Sequence, residues 1–353
     1  TVTRVFKGSP AEAAGIRAGD KIVYVNDEYY SAYEMQEAVN VMRGTPGESV
    51  KVTVMRGLDT LDFDVVRENV NINYVEYEIL DDNIGYVMVF DFLGDAYEGF
   101  AEAIDTFKAA NVSGMIIDLR NNGGGHVISS NMLSTCIAGA ACQGKVYEYY
   151  RYNDSRMATV EKTARETGKE YDTAAKKFFD EFYYGDYYGV DLRNYALNMT
   201  RLYVLVTGNT ASSSEAVINT LRGLDGFTVK LIGEKTNGKN VGMEVSKFTG
   251  GNYSYELAPI SFQGYNAKQV TVDKNGLAVD TACEEWDGEL KDYGDRSEPM
   301  LAAALSQITG QRSASVSGTR STAPGVRPAT DIALPDLSNR PNGMIVFLPA
   351  AEE

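Results

Sequence analysis

Two apolar runs, each followed by a turn and a helical pattern, stand out in the middle of the chain. Residues 114–119 and 202–206 are almost wholly apolar, which is typical of short strands buried on both faces. The first run leads through a turn at 120–125 into a helical stretch at 126–133. The second leads through a serine-containing turn into apolar positions on one helix face at 216–221. The pattern therefore predicts two strand-turn-helix units of an α/β fold.

The second turn, Thr210–Glu215, would place a hydroxyl at the end of a buried strand. A serine is a poor nucleophile unless a base removes its proton, and the chain has one histidine. Lys239, which ends the segment Gly233–Lys239, is the obvious substitute base. Each feature also has a structural interpretation. Ser212 and Glu215 have the spacing of a helix capping box, and Lys239 alone fits a solvated lysine in a glycine-rich turn.

The first turn, Arg120–Gly125, ends in three consecutive glycines ahead of the helical stretch. Glycines let backbone N–H groups converge near a helix N-terminus, which suits either a phosphate or the oxyanion of acyl transfer. The spacing is not that of a dinucleotide-binding loop and no GK[ST] follows, so nucleotide binding is weakly supported. A purely structural tight turn is the alternative.

Three motifs occur in a characteristic order: DLRNNGGG at 118–125, TASSSE at 210–215 and GEKTNGK at 233–239. Behind a PDZ-like segment, this order resembles the carboxyl-terminal processing proteases, which are the tail-specific Ser-Lys peptidases of family S41. The resemblance extends over roughly residues 1–310. It implies an α/β architecture in which a PDZ-like domain is followed by a ClpP/crotonase-like protease core.

The resemblance also assigns roles to residues. It implies that Ser212 is the nucleophile and Lys239 the general base. The backbone N–H of Ser213, paired with that of Gly124 or Gly125, would form the oxyanion hole. A catalytic lysine must be desolvated, because an ordinary lysine with a pKa near 10.4 is almost fully protonated at pH 7. We therefore expect the pKa of Lys239 to be lowered.

The chain departs from the family pattern at three points. Ser213 replaces the usual alanine between the serines, and this leaves Ser214 as a competitor for the nucleophile role. The proposed nucleophile and base are 27 residues apart, about two more than is usual in the family. Met243 stands where many members have a glutamine that orients the lysine, and Gln263 is a candidate replacement. Gln263 also fits an ordinary strand residue.

The N-terminal segment is similar to PDZ domains. The run GSPAEAAGIRAGDKIVYVND at 8–27 follows a predicted strand at Thr3–Phe6, and a helix at 35–42 and a strand at 50–54 are expected after it. PDZ domains bind extended C-terminal peptides by strand addition. We expect the carboxylate-binding loop to precede Thr1, so no carboxylate-capturing residues are named. A structural appendage is the alternative.

The predicted organisation has three parts. Residues 1–68 form a PDZ-like peptide-binding domain without its first strand and carboxylate loop. Residues 69–310 form an S41-type protease core with a tyrosine-rich insertion around 145–198, which would line a peptide cleft or a protein interface, or pack on its own domain. Residues 311–353 form a linker and a tail that contains one strand at 343–349. A lone strand must pair with a sheet edge, so we expect it to dock on the protease core or on a neighbouring subunit.

Composition narrows the possible partners. A net charge of −16 argues against nucleic acid and anionic membrane surfaces. No stretch reaches the roughly 18 to 20 apolar residues of a membrane span. Cys136 and Cys142 are not spaced as a zinc motif, and we expect buried hydrophobic residues there rather than a redox pair. His126 is expected to neighbour the site rather than act as base. Neither a metal nor a cofactor is expected.

The sequence therefore predicts a serine endopeptidase that cleaves exported proteins with apolar C-terminal tails, selected through the PDZ-like domain. The location would be extracytoplasmic, periplasmic or in the cell envelope, with a lipid anchor compatible and the export signal removed. The sequence is also compatible with assembly into a homo-oligomer. The main alternative is a non-catalytic peptide-binding scaffold with the same domains, and binding of an apolar ligand on the same fold is a more remote one.

Overall fold

A computed structural model describes residues 1–70, 73–93, 96–166, 180–185, 195–250, 253–285, 290–310 and 344–347. Short helices and strands alternate along these residues. In chain order they are α1 (Pro10–Ala14), β1 (Lys21–Val25), β2 (Glu28–Tyr29), α2 (Met35–Met42), β3 (Ser49–Arg56), β4 (Asp59–Val66), β5 (Val75–Leu80), β6 (Ile84–Val89), α3 (Ala96–Ala110), β7 (Gly114–Asp118), α4 (Val127–Ala138), β8 (Val146–Tyr152), α5 (Asp154–Glu166), β9 (Asp180–Tyr183), β10 (Arg201–Val206), α6 (Ser213–Arg222), β11 (Thr228–Gly233), β12 (Val241–Gly250), β13 (Tyr253–Leu257), β14 (Ile260–Tyr265), β15 (Thr281–Ala282), α7 (Pro299–Thr309) and β16 (Met344–Phe347).

The described residues divide into two compact units. Unit one contains residues 1–70 with 284–310, and unit two contains residues 73–283 with 344–347. The prediction placed residues 284–310 in the protease core, whereas they cluster with the N-terminal residues. One reason is a close backbone approach, because the carbonyl oxygen of Leu290 lies 3.6 Å from the position that a Cβ at Gly19 would occupy.

Unit one contains an antiparallel sheet in the order β2-β1-β3-β4. The predicted short helix is α1, where Ser9 caps the N-terminus and Gly15 ends the helix with φ +95°. The expected strand at Thr3–Phe6 is wrong. The backbone of Val2 accepts from the N–H of Gly19 at 2.8 Å and donates to the carbonyl of Asp20 at 2.7 Å, but residues 3–6 form no strand.

Unit two is built on a sheet in the order β15-β11-β10-β7-β6-β5. Strands β6, β7, β10 and β11 run parallel, with Asp118 opposite Leu205 and Val206 opposite Gly233. The carboxyl ends of β7, β10 and β11 therefore meet at one edge, and the turns that follow them converge there. Cys136 and Cys142 are buried in the core of this unit, and burial raises the pKa of each thiol to about 12.

A second sheet of unit two has the neighbours β12-β14-β8-β9, and β13 continues the pairing of β14 along the same edge of β12. The predicted tail strand is present as β16, and it pairs with β12 in parallel. Part of the predicted insertion forms β8, α5 and β9, while residues 167–179 and 186–194 lie outside the described residues. Tyr184 is buried in the hydrophobic core of unit two, and Asn131 of α4 donates to the carbonyl of Tyr183 at 2.9 Å, so this described part of the insertion packs on its own domain.

Candidate active site

Ser212 lies in the turn between β10 and α6, where the sequence predicted it. Its backbone has φ 58° and ψ −117°, a region that L-residues rarely adopt, and the strain lies at the entry to α6. The side chain is 1% exposed, and its Oγ has no hydrogen-bond partner among the described residues. A buried, unpartnered hydroxyl on a strained turn is an arrangement that functional sites retain at a cost in stability.

The turn has the arrangement of a capping box, as the spacing indicated, although the approach of Ser212 Oγ to the Glu215 N–H does not reach hydrogen-bond geometry. Ser212 is the N-cap of α6 and Glu215 is its third residue, and the Ser212 N–H donates to Glu215 Oε2 at 3.1 Å. However, no side-chain cap hydrogen bond reaches Ser212 Oγ. The cap therefore fixes the backbone of the serine and leaves its hydroxyl available.

Glu215 connects the serine turn to the lysine segment. Its Oε1 accepts from Thr236 Oγ1 at 2.5 Å and from the N–H of Gly238 at 2.7 Å. Its Oε2 accepts from the N–H of Lys239 at 2.9 Å, as well as from that of Ser212 at 3.1 Å. The backbone nitrogens of Ser212 and Lys239 are therefore no farther apart than the sum of those two distances. Burial raises the pKa of the Glu215 carboxyl, while these hydrogen bonds oppose the shift.

Lys239 is half-buried, and its ammonium group has no ion pair or hydrogen bond among the described residues. Burial lowers its pKa, as a general base requires, because desolvation disfavours the charged form. No hydrogen bond joins Lys239 Nζ to Ser212 Oγ. The backbones of Ser212 and Lys239 are therefore close together, but their side chains do not form a hydrogen bond.

The glycine turn packs directly against the serine turn. A Cβ built on Gly124, where φ is +108°, would lie 2.7 Å from Ser212 Cβ and 2.9 Å from the backbone nitrogen of Ser213. The Gly124 N–H donates to Asn122 Oδ1 at 2.8 Å. By contrast, the N–H of Gly125 has no partner among the described residues. Only a glycine permits this approach at position 124.

The two serines that follow Ser212 use their hydroxyls structurally. Ser213 Oγ donates to the carbonyl of Gly125 at 2.9 Å, and Ser214 Oγ donates to the carbonyl of Asn122 at 3.1 Å. Both hydroxyls are directed away from a nucleophile's role, because each is already engaged with the glycine turn. The N–H of Ser213 precedes the first full turn of α6 and has no partner among the described residues.

Sequence reasoning did not anticipate several residues that join the three motifs. The Asn122 carbonyl also accepts from the N–H of Ala211 at 3.0 Å. Thr210 donates through Oγ1 to the carbonyl of Leu119 at 2.8 Å, and its own carbonyl accepts from the N–H of Asn237 at 3.0 Å. Asparagine and threonine beside glycine-rich turns were the available signals, since these residues commonly bond to local backbone.

The other predicted participants are placed differently. Gln263 lies opposite Val241 on β14, and its Oε1 accepts from Tyr265 Oη at 2.6 Å. No hydrogen bond joins Gln263 to the Lys239 amine. His126 is the N-cap of α4, directly after the glycine turn, and burial lowers its pKa. Met243, where many family members have the orienting glutamine, is a buried residue of β12.

Metal and membrane features can be examined over the same residues. Across the described ranges, no group of three or more histidine, cysteine, aspartate or glutamate residues could hold a metal ion. Within those ranges, none of the helices has the length and apolar character needed to cross a membrane.

Comparison with known proteins gives the family. Residues 83–280 match the model of peptidase family S41, and residues 1–56 match a PDZ domain model. The chain is 36% identical to the carboxy-terminal processing protease CtpA of Bacillus subtilis over 121 residues, which are 34% of this chain and 26% of that protein. It is 26% identical to a probable CtpA-like serine protease of Staphylococcus aureus over 252 residues, which are 71% of this chain and 44% of that protein.

The solved structures agree. A putative S41 protease from Bacteroides fragilis shares the fold with a TM-score of 0.66 at 24% identity, and the match covers 88% of this chain and 77% of that one. The chain spans less than half the length of the two curated relatives that it matches. The predicted fold class, a PDZ-like domain followed by an α/β protease-type core, is confirmed. Since the family model covers more than half of the sequence, the chain belongs to peptidase family S41.

Proposed function

We propose that this chain is a serine endopeptidase in which Ser212 is the nucleophile and Lys239 the general base. The observation that carries the proposal is the shared carboxylate oxygen: Glu215 Oε2 accepts the backbone N–H of Ser212 at 3.1 Å and of Lys239 at 2.9 Å. The buried Glu215 carboxylate therefore fixes the backbones of both the proposed nucleophile and the proposed base. The unpartnered Ser212 Oγ and the lowered pKa of Lys239 supply the matching chemistry.

In the proposed reaction, the neutral Lys239 amine takes the proton of Ser212 Oγ as that oxygen attacks a peptide carbonyl carbon. The amine reaches Oγ by rotation of its flexible four-carbon stem when substrate excludes water from the site. The lysine then returns the proton to the leaving amine, and an acyl-enzyme ester remains on Ser212. Water, deprotonated by the same lysine, hydrolyses the ester and restores the free hydroxyl.

The developing oxyanion would be held by the backbone N–H groups of Gly125 and Ser213. Neither N–H group has a hydrogen-bond partner among the described residues. Both are therefore free to donate to a negative charge that develops only in the transition state. We favour Gly125 over Gly124 because the Gly124 N–H is engaged by Asn122 Oδ1 at 2.8 Å. Asn122 would then orient the loop rather than touch the substrate.

The proposed substrates are exported polypeptides with apolar C-terminal tails, and the proposed location is extracytoplasmic. The support is the PDZ domain match and the likeness to carboxy-terminal processing proteases. PDZ domains capture C-terminal segments by adding a strand to a sheet edge, which would deliver such a tail to a protease on the same chain.

The test is degradation of a folded reporter protein that carries an apolar C-terminal tail, followed by mass spectrometry of the products. Ser212→Ala and Lys239→Met should each abolish cleavage while the melting transition stays cooperative. Lys235→Met is the matched control, since Lys235 is an exposed lysine of the same segment, and it should retain activity. Cleavage at the wild-type rate by either Ser212→Ala or Lys239→Met would overturn the proposal.

One observation favours the rival function of a non-catalytic peptide-binding scaffold: no hydrogen bond joins Lys239 Nζ to Ser212 Oγ. The same reporter separates the two functions. A scaffold would bind the tailed reporter and release it intact, and its binding would not change when Ser212 is replaced.

A further inference from the structure

The edge of β12 next to the candidate active site is occupied by a segment from the end of the chain. Met344 lies opposite Gly242 and Phe347 lies opposite Val245, in parallel pairing. On the other edge of β12, residues 241–243 pair with β14. Strand β16 is therefore an added strand on an edge that the core of the sheet leaves open.

Strands β13 and β14 pair with β12 as one continuous antiparallel ladder. Ser246 lies opposite Leu257 of β13 and Met243 lies opposite Ile260 of β14, so both strands lie along one edge of β12. Strand β16 therefore pairs with the opposite edge, where its partners are Gly242–Val245, close to the lysine segment.

This position adjoins both halves of the candidate site. Gly242 follows Lys239 by three residues, and β16 also runs beside helix α4, which begins directly after the glycine turn. A peptide lying between β12 and α4 is therefore flanked by a strand that begins two residues after Lys239 and a helix that begins two residues after Gly125.

The direction of the added strand also fits tail removal. Because β16 runs parallel to β12, its first residue is nearest Lys239 and its last residue is farthest away. A substrate bound in the same direction would place its C-terminal residues along Gly242–Val245. The peptide bond upstream of those residues would then lie toward Lys239 and Ser212, so that cleavage would remove the bound tail.

We propose that the edge of β12 at Gly242–Val245, flanked by α4, is a binding groove for extended apolar C-terminal peptide segments, and that the chain's own Met344–Phe347 occupies it in competition with substrate tails. This inference rests on the proposed peptidase function and adds a tail-binding site within unit two. Strand addition supplies backbone hydrogen bonds that tolerate many sequences. A tail on the same chain competes as an intramolecular ligand, at a high effective concentration.

The test uses the chain of residues 1–353 with Ser212→Ala, so that binding is measured without hydrolysis. The probe is an amino-terminally labelled peptide with the sequence Gly-Met-Ile-Val-Phe-Leu of residues 343–348, followed by fluorescence anisotropy. The release variant adds Ile345→Pro and Val346→Pro, because proline cannot donate to a strand ladder. The matched control instead adds Ala351→Pro, beyond the paired residues.

The release variant should bind the probe at least about 10-fold more tightly than the parent, and the control should match the parent. Hydrogen exchange of those amides of Gly242–Val245 that face β16 should become about 10-fold faster in the release variant and slow again when the probe is saturating, whereas amides that face β14 should not change. Equal probe affinity in all three proteins, or unchanged exchange at these amides, would overturn the proposal.

The outcome is separable from that of the peptidase proposal. The release variant could bind the probe more tightly while protein with an intact Ser212 fails to cleave the reporter. That result would refute the peptidase proposal and support the binding groove. Reporter cleavage that is unaffected by the release substitutions in KM and in kcat would refute the groove alone. In protein with Ser212 intact, release should lower KM for the tailed reporter about 10-fold and leave kcat nearly unchanged.

Discussion

Glu215 Oε2 accepts a hydrogen bond from the backbone N–H of Lys239 at 2.9 Å. The two residues are 24 apart in sequence, and the same oxygen also accepts the N–H of the candidate nucleophile, Ser212. A single buried carboxylate therefore sets the relative position of the proposed base and nucleophile. A residue that positions catalytic groups in this way can control the reaction rate without touching the substrate.

Glu215→Gln should impair both activity and stability. The amide that replaces one carboxylate oxygen would point a donor at the backbone N–H groups that the carboxylate now satisfies. We expect kcat/KM to fall about 100-fold, since small displacements of catalytic groups are costly. The free energy of unfolding, measured with denaturant, should fall by about 2 kcal/mol.

The control is Glu234→Gln, at an exposed glutamate directly after β11, and its free energy of unfolding should stay within about 0.5 kcal/mol of wild type. Wild-type kinetics in Glu215→Gln would contradict this role.

The pH dependence of cleavage should report Lys239. The active form is the neutral amine, so kcat/KM should rise with pH through the lowered pKa of Lys239 and reach its plateau below the usual value of 10.5. The same shift affects stability. As pH rises from the folded-state pKa toward the unfolded-state pKa, the folded protein gives up its proton first, so its free energy of unfolding should increase.

Lys239→Met removes that ionisation and should flatten the stability increase over the same pH window. Lys235→Met, in the same segment, should keep both pH profiles. A profile of kcat/KM that rises only above pH 10.5, or not at all, would show that Lys239 is not the base.

Ser214→Ala separates the true nucleophile from its neighbour. Ser214 Oγ is engaged by the carbonyl of Asn122 at 3.1 Å, whereas Ser212 Oγ has no partner among the described residues. We expect Ser214→Ala to cost about 1 kcal/mol of stability and to change kcat by less than about threefold. Ser212→Ala should lower kcat by at least about 1,000-fold, as removal of an activated nucleophile does. The reverse ranking in steady-state kinetics would make Ser214 the nucleophile.

Alanine substitutions in the glycine turn should differ sharply between neighbours. At Gly124 a Cβ would lie 2.7 Å from Ser212 Cβ, and φ is +108°. Gly124→Ala should therefore displace the serine turn and reduce kcat at least about 100-fold. At Gly123 a Cβ would meet no atom within 4 Å, so Gly123→Ala should remain within about threefold of wild type. Equal activity in the two variants would show that the close packing of Gly124 against Ser212 is not needed for catalysis.

Much of the site could be predicted because its chemistry lies next to strand ends. Apolar runs of five or six residues identify β7 and β10, and a reader of the sequence can expect the turns after parallel strands to converge. Glu215 shows where this reasoning stops. Its spacing from Ser212 indicated a capping box, which is a local arrangement. Its partners Thr236, Gly238 and Lys239 are 21 to 24 residues away and join it only through the fold.

The failures elsewhere have a similar origin. No strand forms at Thr3–Phe6, and the ladder-like backbone bonds to Gly19 and Asp20 are made by Val2, outside the expected range. The tail strand Met344–Phe347 could be predicted from its apolar run, and so could its need for a sheet edge. Which edge it joins depends on the edge of β12 that β13 and β14 leave open, and no local pattern reveals that edge.

A buried glutamate outside the site should make stability depend on pH. Glu148 is 2% exposed, and burial raises the pKa of its carboxyl to about 8. Between the unfolded-state value near 4.5 and that folded-state value, the unfolded protein loses its proton first, so the free energy of unfolding should fall with rising pH. The decrease should amount to about 3 to 5 kcal/mol by pH 8.

Glu148→Gln should abolish that decrease and become more stable than wild type at pH 8. Glu78→Gln, at an exposed position of β5, is the matched control and should preserve it. Denaturant melts at pH 5 and pH 8 measure the difference. Parallel curves for wild type and Glu148→Gln would mean that this carboxyl does not titrate as described.

The most direct measurement of the central claim is covalent labelling with a fluorophosphonate, which reacts with activated serine hydroxyls, followed by tandem mass spectrometry of the peptide that contains the three serines. We expect one adduct, on Ser212, and a labelling rate at least about 1,000-fold slower in Lys239→Met but unchanged in Lys235→Met. An adduct on Ser213 or Ser214, or equal labelling of Ser212 with and without Lys239, would contradict it.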